Sequence, residues 1–115
     1  MDNCIFCKIA KKELSSEIVF ESKNVIAFRD VAPVAPTHIL VIPHKHIASL
    51  NELNTEQRKI LLPEIFECID ELVEKEGLKE DGYRVVNNCG ENGGQTVDHI
   101  HFHLLAGRAM QWPPG

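Results

Sequence analysis

The sequence predicts an α+β fold: about five strands in an antiparallel sheet, one main helix and a short N-terminal helix. Three observations predict it. Several short runs of β-forming residues are joined by connections short enough to favour antiparallel pairing. Between Asn54 and Gly77, Leu61, Ile65, Ile69, Leu72 and Val73 recur at helical spacing. Residues 96–105 alternate His99, His101 and His103 with Ile100, Phe102 and Leu104, which is the period of a strand.

The totals fit that architecture. The 115 residues suit one domain spanning 1–115, and 43% hydrophobic residues suffice for a core. A net charge of −5 argues against an electrostatic grip on nucleic acid. Backbone amides can still bind a small anion. The start, Met1-Asp-Asn-Cys4, lacks a basic n-region and a long apolar run, so no signal peptide is expected. The apolar run Ile39–Ile42 is too short to span a bilayer, so no membrane partner is expected either. A cytoplasmic location follows as an expectation, with Cys4, Cys7, Cys68 and Cys89 reduced.

In chain order, residues 4–12 predict a short helix, with Ile5 and Ile9 on one face. Residues 17–21 and 24–29, separated by Ser22 and Lys23, predict a hairpin. Residues 30–36 contain two prolines and read as a loop. Residues 38–43 hold the run Ile39-Leu40-Val41-Ile42, which predicts a central strand. A helical turn is expected over 47–53. Asn54 and Gln57 have the spacing of a capping box for the main helix. Pro63 then either kinks that helix or begins it, and Gly77 is a plausible stop. Residues 83–88 predict a strand. A loop with Gly90, Gly93 and Gly94 leads into the histidine strand.

The chemistry concentrates in the histidines. A strand over 96–105 puts His99, His101 and His103 on one face, about 6.6 Å from one to the next, and the apolar residues on the core face. A helix would scatter them. His38, His44 and His46 form a second cluster at another strand, which is expected to neighbour the first. The glycine loop beside the triad favours a phosphate-bearing ligand held in a nest of amides. Covalent catalysis at phosphorus by an imidazole nitrogen suits this set, with His101 as nucleophile and His103 stabilising phosphoryl charge. Cys4 and Cys7 form a C-x-x-C ahead of every strand, which fits zinc, with histidines as partner ligands, better than a thioredoxin-like motif. Cys68 reads as core.

His99-Ile-His-Phe-His-Leu-Leu105 resembles the His-φ-His-φ-His-φ-φ motif of the histidine triad (HIT) superfamily. Ile5-Phe-Cys-Lys-Ile9, Phe28-Arg-Asp-Val31, Ala35-Pro-Thr-His-Ile-Leu-Val-Ile-Pro43, Lys45-His-Ile47, Gly82-Tyr-Arg84, Gly93-Gly-Gln95 and Trp112-Pro-Pro-Gly115 resemble its HINT branch of nucleotide-binding proteins. The resemblance implies a HIT-like fold pairing as a homodimer. It implies a purine nucleotide (AMP or GMP type) as partner and hydrolysis of nucleoside 5′-phosphoramidates through a nucleotidyl-histidine intermediate. On it, His101 is the nucleophile, and His103 and Asn88 contact the α-phosphate, with Gln95 and Thr96 beside it. Asp30 binds the ribose hydroxyls, and Ile5, Phe6, Ile9, Phe28 and Val31 wall the base pocket, unless these five are plain core. The resemblance also implies a structural zinc held by Cys4, Cys7, His46 and His99; in HINT proteins without the cysteine pair the histidines matching His46 and His99 instead support the active site by hydrogen bonds, so His99 is counted with His101 and His103 as catalytic. His38 and His44 have weaker cases, at a strand edge and in a solvated loop. The competing readings are a dinucleoside polyphosphate hydrolase or nucleotidyltransferase, and a nucleotide- or zinc-binding interaction module.

Overall fold

The computed structural model describes residues 3–115. Its elements are α1 (Ile5–Ala10), β1 (Ile18–Glu21), β2 (Val25–Arg29), β3 (Thr37–Pro43), a 3-10 turn (Leu50–Glu52), α2 (Thr55–Lys75), β4 (Arg84–Asn87) and β5 (Phe102–Ala106). The strands form one sheet in the order β1-β2-β3-β5-β4. All four neighbouring pairs are antiparallel. The predicted α+β class and the helix and strand inventory agree with this architecture.

The continuous apolar run of β3 is explained by cover on both faces of the sheet. Ile39 and Val41 join a core with Leu61, Ile65, Ile69, Leu72 and Val73 of α2. Leu40 and Ile42 face the other way and pack with Ile26, Phe28 and the α1 residues Phe6, Ile9 and Ala10. Full burial of each such side chain contributes roughly 1.5–3 kcal/mol. Cys68 is fully buried within the α2 core, as expected.

α2 begins with the capping box: the Asn54 side chain accepts from the Gln57 amide, and Gln57 accepts from the Asn54 amide. Pro63 therefore does not start the helix; the helix is already two turns old there and runs on through it. At the other end Gly77 has φ +68°, the Leu78 amide donates to the Val73 carbonyl and the Gly77 amide to the Glu74 carbonyl. That is a Schellman stop, which needs a left-handed residue at Gly77.

The strand predicted over 96–105 is shorter: only Phe102–Ala106 lie in the sheet, so only His103 of the triad does. Pro43, at the end of β3, has no N–H to extend the ladder. The Ile100 amide instead donates to the Ile47 carbonyl at 2.7 Å. The division of faces survives this departure. Ile100, Phe102 and Leu104 enter the α2 core, while the rings of His99 and His101 meet Phe6 on the opposite side.

Candidate active site and metal centre

The hydrogen bonds at the triad determine where each imidazole holds its proton. His101 Nδ1 lies 2.8 Å from the His99 carbonyl oxygen. A carbonyl only accepts, so Nδ1 carries a proton, and in the neutral ring Nε2 is the nitrogen with the lone pair. His38 Nδ1 accepts from the Val34 amide at 3.2 Å. The proton of a neutral His38 therefore sits on Nε2, which is 2.9 Å from His103 Nδ1. His103 in turn holds its own proton on Nε2. Burial pushes His103 down to about 4, and the neighbouring His101 and His38 push the same way. His38 is also lowered by burial, opposed by Asp30, whose Oδ2 is 3.5 Å from its Nε2. Both rings are neutral at pH 7. The site thus sets the Nε2 side of His101, the acceptor in its neutral form, beside an N–H donor on His103, ring centroids 5.0 Å apart.

His101 and His103 line a cleft of about 420 Å³. Its remaining wall includes Ile5, Phe6, Ile9, Phe28, Asp30, Val31, Leu40, Thr96 and Val97. Phe6, Ile9 and Phe28 are both wall and core, because they are buried under the sheet; Val31 is 93% exposed and is not core. Asp30 Oδ1 accepts from the Ala32 amide, which anchors the carboxylate at the rim.

On the far side of Phe6, Cys4, Cys7, His46 and His99 place one ligand atom each within 4.8 Å of all the others. Cys4 Sγ is 3.3 Å from His99 Nδ1, and Cys7 Sγ is 3.3 Å from His46 Nδ1 and 3.5 Å from His99 Nδ1. In a zinc tetrahedron with ordinary bond lengths, sulfur and nitrogen ligands stand roughly 3.5 Å apart. The set therefore fits zinc. His99 is prepared for it: its Nε2 donates to the Pro43 carbonyl at 2.9 Å, so Nδ1 is the bare nitrogen facing the thiols. Burial lowers His99 to about 4, which keeps it neutral, and burial together with Cys4 raises the Cys7 thiol. A second cleft, of about 490 Å³, is lined by Cys4 and His46 and shares Ile5, Thr96 and Val97 with the first. It offers the cluster an approach from solvent.

Other expected residues fall elsewhere. Asn88 and Gln95 do not line the cleft. Asn88 Nδ2 donates to the Gly93 carbonyl, and Gln95 staples the loop to the Ala48 and Val97 carbonyls while accepting from the Gly90 amide. Two amides of the expected nest close on the loop itself: the Gly90 amide donates to Gln95, and the Gly94 amide to Glu91. His44 leaves the histidine group and faces the Ser22 carbonyl and Glu21. His38 is the residue that sequence reasoning undervalued. Placed at a strand edge by its position, it is only 6% exposed and joined to His103. The available signal was that His38 stands in the strand expected beside the triad. Leu14, Ser15, Ser16 and Arg29 also line the cleft without having been anticipated.

Known proteins resemble this chain in sequence and fold. Residues 11–110 match the HIT domain family. A protein of Escherichia coli named purine nucleoside phosphoramidase is 43% identical over 109 residues, covering 95% of this chain and 91% of its own length. The 14 kDa zinc-binding protein of Zea mays is 49% identical over 111 residues, covering 96% and 87%. The crystal structure of a HIT family hydrolase from Legionella pneumophila superposes with a TM-score of 0.94 at 54% identity, covering 98% of this chain and all of that one. The family match takes in the whole sheet, α2 and all three triad histidines, so the chain belongs to the HIT domain family.

Proposed function

We propose that the protein hydrolyses purine nucleoside 5′-phosphoramidates to nucleoside monophosphate and amine. The observation that carries this reading is the 2.8 Å bond from His101 Nδ1 to the His99 carbonyl, which leaves Nε2 bare in a ring lining the cleft. Nε2 attacks the α-phosphorus, forming a nitrogen–phosphorus bond as the bond to the amine breaks. The amine gains a proton as it departs. Water then cleaves the His101–phosphorus bond and loses a proton, so one water is consumed overall. His103 Nε2–H donates to a phosphoryl oxygen, where charge develops. Asp30 takes the ribose hydroxyls, and Ile5, Phe6, Ile9, Phe28 and Val31 flank the base. Thr96 lies at the phosphate, and Asn88 and Gln95 shape the loop beside it. Zinc on Cys4, Cys7, His46 and His99 would have a full shell and supply structure rather than Lewis acidity. The Escherichia coli and Legionella pneumophila relatives support the hydrolase class.

The same reading takes the protein as a cytoplasmic homodimer. The open edge of β4 and the exposed side chains Ile60, Phe66 and Tyr83 support the pairing. The test is incubation with adenosine 5′-phosphoramidate, following AMP and amine release. Turnover lost in His101→Ala supports both the reaction and the nucleophile. Intact AMP binding with no wild-type turnover would refute the hydrolase and favour a binding module.

A further inference from the structure

α1 holds a place on the molecule that its own length does not explain. It has six residues, far short of what holds an isolated helix in water. Yet it carries Ile5, Phe6 and Ile9, which wall the cleft. Phe6 stands edge-on to His101, His99 and Phe28, with centroids 5.1, 6.0 and 5.5 Å away. Cys4 and Cys7 flank Phe6 in sequence, and their sulfurs reach His99 and His46, which lie 95 and 39 residues along the chain. The cluster therefore joins α1 to the segment that leads into β5 and borders the cleft, and to the segment that follows β3. His99 belongs to both systems: its ring faces the thiols, and its carbonyl holds the His101 proton on Nδ1.

We propose that Cys4 and Cys7 are positioning residues: by holding zinc with His46 and His99 they latch α1 to the sheet, and so complete the nucleotide cleft and align His101. This rests on the nucleotide reading above for its ligand, but the latch itself does not. Without metal, α1 keeps the packing of Phe6, Ile9 and Ala10, weak thiol–imidazole hydrogen bonds and, just past its end, the exposed Lys12–Glu21 ion pair. The base wall and the neighbour of His101 then loosen together. Because the latch acts on the cleft, its loss raises KM more than it lowers kcat. The Cys-x-x-Cys lies ahead of residue 11, where the family match begins.

The experiment compares wild-type protein loaded with one zinc, stripped by a chelator, and reloaded. Three quantities are read in each state: zinc content, amide hydrogen exchange over residues 4–12, and the affinity for AMP. Stripping is expected to speed α1 exchange at least tenfold and weaken AMP binding at least tenfold, both reversed on reloading. KM for adenosine 5′-phosphoramidate should rise by a larger factor than kcat falls. Cys4→Ser/Cys7→Ser should match the stripped protein, and its far-UV circular dichroism should confirm that the sheet and α2 are intact. Zinc lost with α1 exchange and AMP affinity unchanged overturns the latch, as does a protein that never takes up zinc. If zinc-loaded protein ignores AMP but its α1 exchange responds to the metal, the latch stands and the nucleotide reading falls.

Discussion

His103 illustrates how a single side chain can be tuned through a neighbour that touches no substrate. Its proton is on Nε2 because His38 occupies Nδ1, and His38 is itself set by the Val34 amide. Truncating His38→Ala leaves His103 Nδ1 and the Val34 N–H without their partner. The expected cost is about 1–3 kcal/mol in urea unfolding. Nitrogen NMR of the variant should show His103 as a mixture of tautomers, and kcat should fall. A single Nε2–H tautomer persisting in the variant would remove His38 from this role. The pH dependence has a definite sign. His103 titrates near 6.5 when unfolded and about 4 when folded, so the unfolded chain binds the proton more readily between those values. Stability is complete above about pH 6.5 and declines as the pH falls toward 4. Urea midpoints taken between pH 7.5 and 5 should drop less steeply for His103→Gln than for wild type.

Between elements, one carboxylate does much of the joining. Glu64 of α2 accepts from Ser22 Oγ at 2.5 Å, the Asn24 amide at 2.8 Å and Asn24 Nδ2 at 2.9 Å. It ties the main helix to the β1–β2 turn. Burial pushes its carboxyl up, but these donors together outweigh burial and hold it below the usual range. Glu64→Ala should cost about 1.5–3 kcal/mol in chemical denaturation. Its contribution is present at neutral pH and lost as the pH drops below the usual carboxylate value through the lower folded one. Equal wild-type and variant stability at pH 7 would contradict this. The glycine loop makes a second case. A Cβ on Gly93 would collide with the Cys89 carbonyl oxygen, so the loop admits no larger residue without moving. Gly93→Ala should displace Gln95 and Thr96, destabilise by roughly 1–3 kcal/mol, and weaken AMP binding in titration calorimetry.

At the scale of the whole molecule, the sheet has α2 on one face and α1 on the other, and the metal cluster lies between α1 and the triad. A ligand that binds only the folded state stabilises it. Zinc at a hundredfold its dissociation constant should add about 2.7 kcal/mol, read as a rise in Tm that disappears in Cys4→Ser/Cys7→Ser. An unchanged Tm on zinc addition to stripped protein would rule out coordination by this set. Pairing through β4 is read by light scattering after gel filtration: a mass near 13 kDa would exclude the homodimer, and twice that would support it.

Much of this protein was legible in its sequence by itself, because local patterning carries the information. The capping box at Asn54, the Gly77 stop and the central place of β3 follow from residue type and period, and the structure reproduces each. The alternation of Ile100, Phe102 and Leu104 with the histidines divided the two faces correctly even though the strand begins only at Phe102. What the tertiary structure decided are contacts between residues far apart in the chain. The strand shortens because the Ile100 amide finds Ile47, a partner no period announces. His38 and His44 are six residues apart and look alike in sequence, yet one is drawn to His103 and the other to the Ser22 carbonyl. Gln95 bonds within its loop and to Ala48, and the Gly90 and Gly94 amides close on their own loop. Period and propensity report which face a side chain takes. Which distant atom completes its hydrogen bond depends on three-dimensional proximity, and that also decides where each histidine holds its proton.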